Sequence, residues 1–116
     1  MIRRLLLACV VLCLLAGCQE PQPPTPPSAP CHRPLMLVFT ASWCGPCKAQ
    51  KPLVAQIEAA GVDVRTYDVD ENPATARQYG ITATPTYIFY VCGRKPLRTN
   101  DANDVLVVIQ GGWGCK

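Results

Sequence analysis

The sequence predicts an α/β domain with one four-stranded mixed sheet that is flanked by helices. Runs rich in β-branched and aromatic residues alternate with stretches of helical periodicity, in the order strand, helix, strand, helix, strand, strand, helix. Two strands that a helix connects run parallel, with a right-handed crossover. Only a short turn at Gly93 separates the last two strands, so these form an antiparallel hairpin.

The first half of the domain is predicted to contain two strands and two helices. A continuous apolar run at residues 35–39 is typical of a strand that is buried on both faces. Helical spacing of apolar residues predicts a helix over residues 46–60, with a kink at Pro52. Alternating apolar and polar residues predict a second strand over residues 62–69, and a short helix follows over residues 73–79.

The second half is predicted to contain the hairpin and a last helix. Residues 86–91 are β-branched and aromatic, which favours a third strand. Residues 95–99 form a weaker fourth strand that we expect at the edge of the sheet. Asn100 or Asp101 can cap the final helix, which runs to Gln110.

Residues 1–17 are predicted to be a secretory signal rather than part of the fold. Arg3 and Arg4 precede an uncharged apolar run at residues 5–16, too short for a membrane-spanning helix of about 20 residues. The run ends in Leu-Ala-Gly-Cys, which resembles the lipobox of bacterial lipoproteins. The resemblance implies cleavage before Cys18, acylation of Cys18 and a lipid anchor in the membrane.

A proline-rich linker is predicted to follow the lipidated cysteine, over residues 18–30, and the folded domain takes up residues 31–116. Six prolines occur within residues 19–30, so this stretch forms neither a helix nor a central strand. As an extended spacer at about 3.1 Å per residue it would reach roughly 37 Å. We therefore expect a domain that faces the periplasm of the bacterial envelope. Gln19 after the lipidated cysteine slightly favours the outer membrane over the inner membrane.

Charge and composition exclude one class of partner. The chain has 116 residues and a formal charge of +3, of which Arg3 and Arg4 supply two charges. The remainder is close to neutral, which argues against binding to nucleic acid. The unusual features are 12 prolines and 8 cysteines, and both residue types are unevenly distributed.

The most specific motif is Trp-Cys-Gly-Pro-Cys-Lys at residues 43–48, where a buried strand meets a helix. Two intervening residues allow the sulfurs of Cys44 and Cys47 to bond across one helical turn. A thiol at a helix N-terminus is stabilised as the thiolate, which is the attacking species in disulfide exchange. Cys44 is therefore predicted to be the exposed nucleophile, and Cys47 the resolving thiol. Pro46 fits the first helical turn, because its missing amide would be unpaired there anyway.

Residues 43–48 resemble the active-site motif of the thioredoxin superfamily, and further segments share the likeness. Pro52 matches the helix kink of thioredoxins, residues 70–73 and 79–81 resemble their stretch around the second helix, and residues 84–86 resemble their cis-proline loop. This resemblance implies a thioredoxin-like fold in its minimal core form, without the additional N-terminal strand and helix.

The resemblance also implies a substrate surface. The peptide bond before Pro85 is expected to be cis and to lie against the cysteine pair. The backbone of Thr84 is expected to pair with an extended segment of the substrate. Trp43, Gly45 and Pro46 would form the remainder of this surface.

Two positions depart from the thioredoxin pattern. Thioredoxins usually have a buried Asp behind the cysteine pair, where this chain has Val38, and a Lys where this chain has Thr66. Without the carboxylate, a water molecule or a substrate group has to take the proton of the resolving thiol.

Three further cysteines of the domain are predicted to include one structural disulfide. Cys31, Cys92 and Cys115 are all expected near the end of the domain opposite Cys44. Outside the cytoplasm two of them can form a disulfide, for which we favour Cys31 with Cys115; a second redox pair is the alternative. No metal site is expected, because a zinc ion at the motif would need two more ligands nearby.

These features predict a thiol–disulfide oxidoreductase that acts on protein cysteines in the bacterial envelope. It would need no cofactor beyond its own Cys44–Cys47 disulfide. The Gly45-Pro46 pair resembles that of reducing thioredoxins, which favours a reductase that a membrane electron donor recharges. A disulfide oxidase or isomerase is the alternative, as is a non-catalytic binding subunit of an envelope assembly.

Overall fold

The computed structural model describes residues 33–113, and these form one sheet with three helices. The predicted signal, Cys18, the proline-rich linker, Cys31 and Cys115 lie outside the described residues. The elements, in chain order, are β1 (Leu35–Thr40), α1 (Gly45–Ala59), β2 (Asp63–Asp68), α2 (Pro73–Gln78), β3 (Thr86–Tyr90), β4 (Leu97–Thr99) and α3 (Ala102–Gln110). None of the helices in this part of the chain is long and apolar enough to cross a membrane.

The four strands are arranged in the order β2-β1-β3-β4. β1 pairs in parallel with β2 and antiparallel with β3, and β3 pairs antiparallel with β4. The predicted mixed sheet and its edge strand β4 are therefore confirmed. The expectation that helix-connected strands run parallel holds for β1 and β2 but is wrong for β2 and β3, because β3 runs antiparallel to β1. Each predicted element is present, and its bounds differ by at most two residues from the prediction.

β1 lies in the middle of the sheet, and both of its faces are covered. Its residues from Leu35 to Phe39 are all buried, which explains the unbroken apolar run. One face packs under α1 and α3 and contains Met36, Val38, Ile57, Tyr87 and Val105. The opposite face packs around α2 and contains Leu35, Leu37, Phe39, Ile88 and Tyr79.

Glycines end two of these elements because the chain needs a backbone conformation that side chains disfavour. Gly61 has φ +98° just after α1, and Gly93 has φ +71° in the turn between β3 and β4. Pro52 lies inside α1, as the sequence predicts.

Trp113, to which the sequence assigns no role, packs on the core. Its ring centroid lies 6.3 Å from that of Phe89, and its side chain packs against the same core cluster that α3 covers. The segment after α3 therefore contributes apolar contact to the domain.

α3 offers a matched test of this packing, since Val105 is fully buried and Val107 is 66 % exposed on the same helix. Val105→Ala is expected to lower the free energy of unfolding by about 2 kcal/mol, through lost burial and a residual cavity. Val107→Ala is expected to change it by less than about 0.5 kcal/mol. Urea denaturation of both variants measures the difference, and equal losses would contradict this assignment of faces.

Candidate functional site

The site lies at the carboxyl end of β1, where the chain turns into α1. Cys44 is the N-cap of α1 in an extended conformation, and its amide donates to the carbonyl of Ala41 at 3.2 Å. The Cys44 Sγ accepts a hydrogen bond from the amide of Cys47 at 3.2 Å. A sulfur at this position therefore faces a helix amide, as expected at a helix N-terminus.

Cys44 and Cys47 form a disulfide. The S–S distance is 2.14 Å, the Cβ–S–S–Cβ dihedral is 80° and the Cα atoms are 5.3 Å apart. Pro46 occupies the first turn of α1, where no intrahelical amide is required. The two-residue spacing thus closes the pair across one turn.

The prediction that Cys44 is the exposed member of the pair is wrong for this oxidised form. Cys44 exposes 3 % of its surface and Cys47 exposes 6 %. The disulfide turns the Cys44 sulfur toward the helix, and the pair packs against Ala41 and Val69. The neighbours Trp43, Gly45 and Pro46 are exposed, so the buried sulfurs lie directly beneath an accessible surface.

Trp43 is held at this surface by a carboxylate. It is 68 % exposed, and its Nε1 donates to Oδ2 of Asp70 at 2.8 Å. Asp70 and Glu71 are exposed, as expected for a solvated turn. Asp68 Oδ1 accepts from the Asp70 amide at 2.8 Å and thereby shapes this turn, which presents the Asp70 carboxylate to Trp43.

The Thr84–Pro85 peptide bond is cis, as the resemblance implies. Pro85 is buried, and its carbonyl accepts from Nδ2 of Asn100 at 2.8 Å. The same amide lies 3.2 Å from Oγ1 of Thr86, whose hydroxyl donates to the Ala83 carbonyl at 2.6 Å. Asn100, directly after β4, therefore holds this loop and does not cap α3; Asp101 is the N-cap of α3.

Gln50 connects this loop to the redox helix. Its Nε2 donates to the Asn100 carbonyl at 3.3 Å, and its Oε1 accepts from the Ala102 amide at 2.7 Å. Gln50 lies one turn beyond Cys47 on α1. The helix that carries the cysteines and the segment that holds Pro85 are thus joined through one side chain, which sequence reasoning missed.

The side chain of Thr84 adds a polar atom to this surface. Its Oγ1 is buried and has no hydrogen-bond partner within residues 33–113. An unpaired buried hydroxyl costs free energy unless another group satisfies it.

A cleft of about 140 Å³ lies behind Cys47. The row Thr66, Val38 and Tyr87 crosses three strands and forms its floor, since Val38 is paired with both of the others. Thr40, Lys51, Val54 and Pro85 complete the lining with Cys47. Both positions that depart from the thioredoxin pattern, Val38 and Thr66, therefore face this cleft.

Tyr87 brings no charge to the cleft. Burial raises the pKa of its phenol above the ordinary value, and the Asp101 carboxylate raises it further. The phenol therefore stays neutral throughout the physiological pH range.

Of the three cysteines for which a structural disulfide is predicted, the structure describes only Cys92. Cys92 follows β3 at the end of the sheet opposite Cys44, because β3 runs antiparallel to β1. Cys31 and Cys115 lie outside the described residues, so their pairing stays a prediction. Within residues 33–113 no group of three or more His, Cys, Asp or Glu side chains could hold a metal ion.

Comparison with known proteins places this arrangement in one family. The family model for thioredoxin matches residues 29–110. A thioredoxin of Alicyclobacillus acidocaldarius is 42 % identical over 65 residues, which cover 53 % of this chain and 62 % of that protein. A thioredoxin of Mycobacterium tuberculosis is 38 % identical over 70 residues, which cover 58 % of this chain and 60 % of that protein. The chain thus spans about three fifths of the length of the curated relatives that it matches.

Solved structures give the same result for the fold. Fasciola hepatica thioredoxin superposes with a TM-score of 0.59 at 31 % identity, covering 69 % of this chain and 81 % of that one. Thioredoxin NaTrxh from Nicotiana alata superposes with a TM-score of 0.60 at 28 % identity, covering 69 % of this chain and 73 % of that one.

The Asn100 contact generates a test of how the cis-proline loop is held. Asn100→Ala leaves the buried Pro85 carbonyl without its donor, so the free energy of unfolding is expected to fall by about 1–2 kcal/mol. Asn103→Ala is the control, because the Asn103 amide group donates at 3.0 Å to the exposed Asp101 carboxylate. Urea denaturation compares the two variants, and an Asn100→Ala loss no larger than the control would show that the contact does not hold the loop.

Proposed function

This chain is a member of the thioredoxin family, and from that membership we propose that it is a thiol–disulfide oxidoreductase that acts on protein cysteines. One observation carries the proposal: the Cys44–Cys47 disulfide closes at a helix N-terminus, where the Cys47 amide donates to the Cys44 sulfur. That arrangement favours the thiolate on which exchange depends. The pair acts as its own redox group, and no other cofactor is needed.

The reaction proceeds in two exchanges. In the reduced protein the Cys44 thiolate attacks a substrate disulfide, forms a mixed disulfide and expels one substrate thiolate. The Cys47 thiolate then attacks Cys44 Sγ, which releases the second substrate thiolate and closes the Cys44–Cys47 bond. Two electrons pass from the protein to the substrate, and both substrate thiolates take up protons from water.

The surface around the pair supports binding of an extended substrate segment. Trp43 offers an exposed indole that Asp70 orients. As the family resemblance implies, the backbone of Thr84, next to the cis bond at Pro85, can pair with a strand of substrate. The buried Thr84 hydroxyl offers such a segment a further polar contact.

Burial of the oxidised pair sets a condition on recycling. Cys44 exposes 3 % of its surface, so a donor thiol reaches the sulfur only where the covering surface admits it. The recycling partner is therefore expected to contact the exposed Trp43, Gly45 and Pro46 and to react faster than a freely diffusing thiol. This favours a protein donor, which we place in the membrane.

A pair of cysteine variants tests catalysis. Cys44→Ser is expected to reduce insulin turnover by the full chain to the uncatalysed rate, because the attacking sulfur is lost. Cys47→Ser is expected to accumulate a mixed disulfide with its substrate, which mass spectrometry identifies. Unchanged turnover in Cys44→Ser would contradict the proposal, and a parent chain without turnover would favour a non-catalytic binding module.

The direction of exchange is testable by the redox potential of the pair. We propose a reductase, on the grounds of Gly45 and Pro46 between the cysteines. Equilibration with glutathione is expected to give a potential below about −230 mV, whereas a value above about −150 mV would indicate an oxidase. Small changes around the pair can shift this redox potential, since about 30 mV corresponds to only about 1.4 kcal/mol for a two-electron couple.

The location of the protein is proposed from the sequence of residues 1–30. A charged start, a 12-residue apolar run and the lipobox-like Leu-Ala-Gly-Cys support cleavage and acylation at Cys18. Several acyl chains, at about 0.8 kcal/mol per buried methylene, would provide a durable anchor. The proline-rich linker would hold the redox domain away from the lipid headgroups on the periplasmic side, with the outer membrane slightly favoured.

Metabolic labelling with a fatty-acid analogue tests this anchor in a bacterial host. The parent chain is expected to incorporate the label and to sediment with membranes. Cys18→Ser is expected to lose both properties, while Cys13→Ser, within the apolar run, is expected to retain them. Labelling that persists in Cys18→Ser would refute the assignment.

A further inference from the structure

The cleft behind Cys47 has an unusual distribution of chemical groups. Its floor is apolar at Val38 and carries the hydroxyl of Thr66. Thr66 is the exposed end of this floor and Lys51 is exposed at the rim, whereas Cys47, Val38 and Tyr87 are buried. The cleft therefore connects the less accessible side of the cysteine pair to solvent.

Lys51 occupies a defined position relative to the resolving sulfur. It lies four residues after Cys47 on α1, so the two side chains share a helix face with Cβ atoms about 6 Å apart. Both residues line the cleft. The stem of Lys51 thus borders the space next to the Cys47 sulfur, and its ammonium group can stay in contact with water.

No carboxylate opposes this ammonium group within the cleft. β1 contributes Val38 and Thr40, β2 contributes Thr66, and β3 contributes Tyr87, which remains a neutral phenol. Cys47 is the remaining titratable group among these lining residues. Beyond the lining, the Asp101 carboxylate before α3 acts on the Tyr87 phenol and raises its pKa. Among the described residues that line the cleft, Lys51 therefore carries the sole formal charge while the pair is oxidised.

We propose that Lys51 is a positioning residue for the resolving step, and that its ammonium group stabilises the thiolate of Cys47 while water in the cleft carries the released proton to solvent. The proposal rests on the proposed function and deepens it. In this arrangement a charge on α1 and water in the cleft together promote ionisation of Cys47, although no carboxylate lines the cleft. A volume of about 140 Å³ is ample for water, which needs only about 10–15 Å³ and polar partners such as Thr40 and Thr66.

The step balances as follows. The Cys47 thiol loses its proton to a water molecule in the cleft, and the proton passes to bulk solvent. The Cys47 thiolate attacks Cys44 Sγ of the mixed disulfide, so the Cys44–Cys47 bond forms and the bond to the substrate sulfur breaks. The substrate leaves as a thiolate and is protonated by water. Lys51 contributes only its charge.

Loss of this charge is expected to have a moderate effect. If the ammonium group lies about as far from the sulfur as the two Cβ atoms lie from each other, about 6 Å, then in a solvent-filled cleft its charge changes the proportion of thiolate by roughly threefold to tenfold. Lys51→Gln should therefore slow resolution at neutral pH by that factor, and Lys51→Arg should retain the rate within about twofold. Lys95→Gln removes an equal charge in the turn between β3 and β4, at the far end of the sheet, and should leave the rate unchanged.

The experiment uses the reduced full chain and the aromatic disulfide DTNB in a stopped-flow instrument. Attack by Cys44 releases the first chromophore at a rate that depends on DTNB concentration. Resolution by Cys47 releases the second chromophore in a phase that does not. Lys51→Gln is expected to slow only the second phase, and raising the pH by about one unit is expected to restore it, which a purely structural defect would not allow.

A second measurement separates this proposal from the proposed function. In a Cys44→Ala background, the midpoint pH for alkylation of Cys47 is followed by peptide mass spectrometry, and this requires no catalysis. Lys51→Gln should raise the midpoint by about 0.5–1 unit relative to Lys51→Arg. Equal midpoints, or equal slowing of the second phase by both variants, would overturn the role of Lys51. A parent chain that shows no exchange, together with a shifted midpoint, would overturn only the proposed function.

Discussion

The central position of β1 is the constraint on which the site depends. Because β1 pairs with β2 on one side and with β3 on the other, neighbouring strands hold its carboxyl end on both sides. The loop that leaves this end has only residues 41–44 before α1 begins, so the cap of the helix and the first cysteine coincide. The same pairing aligns Thr66, Val38 and Tyr87 in one row, which makes the space behind the second cysteine a property of the sheet rather than of a loop.

Polar side chains then join segments that the sheet alone would leave independent. Gln50 connects α1 to the start of α3, and Asn100 connects that start to the carbonyl of Pro85. Trp43 is tied to Asp70 beyond β2. Each contact exchanges a hydrogen bond with water for one within the protein, so its net contribution to stability is of order 1 kcal/mol. Their larger effect is geometric, since they hold the helix with the cysteines and the two loops beside it in one arrangement.

Element order was predictable because it depends on local periodicity, which β1, α1 and β3 display clearly. The cis bond at Pro85 was predictable only through resemblance, since a proline in a loop is otherwise no evidence for it. The roles of Gln50 and Asn100 were not predictable, because their partners lie 52 and 15 residues away in the chain. The burial of Cys44 was missed for a related reason. The N-cap position predicts the electrostatic surroundings of a sulfur, whereas its exposure depends on packing against Val69 from another strand end.

The apolar side chain of Val38 affects the stability of the domain as well as the redox site. A carboxylate at this depth would be costly to ionise, and its shifted titration would make the folding equilibrium depend on pH near neutrality. Val38 is 5 % exposed and packs in the same cluster as Ile57 and Tyr87, so it contributes cohesion to the core instead. The interior beneath the redox centre therefore has, at this position, no carboxylate whose protonation could alter its packing.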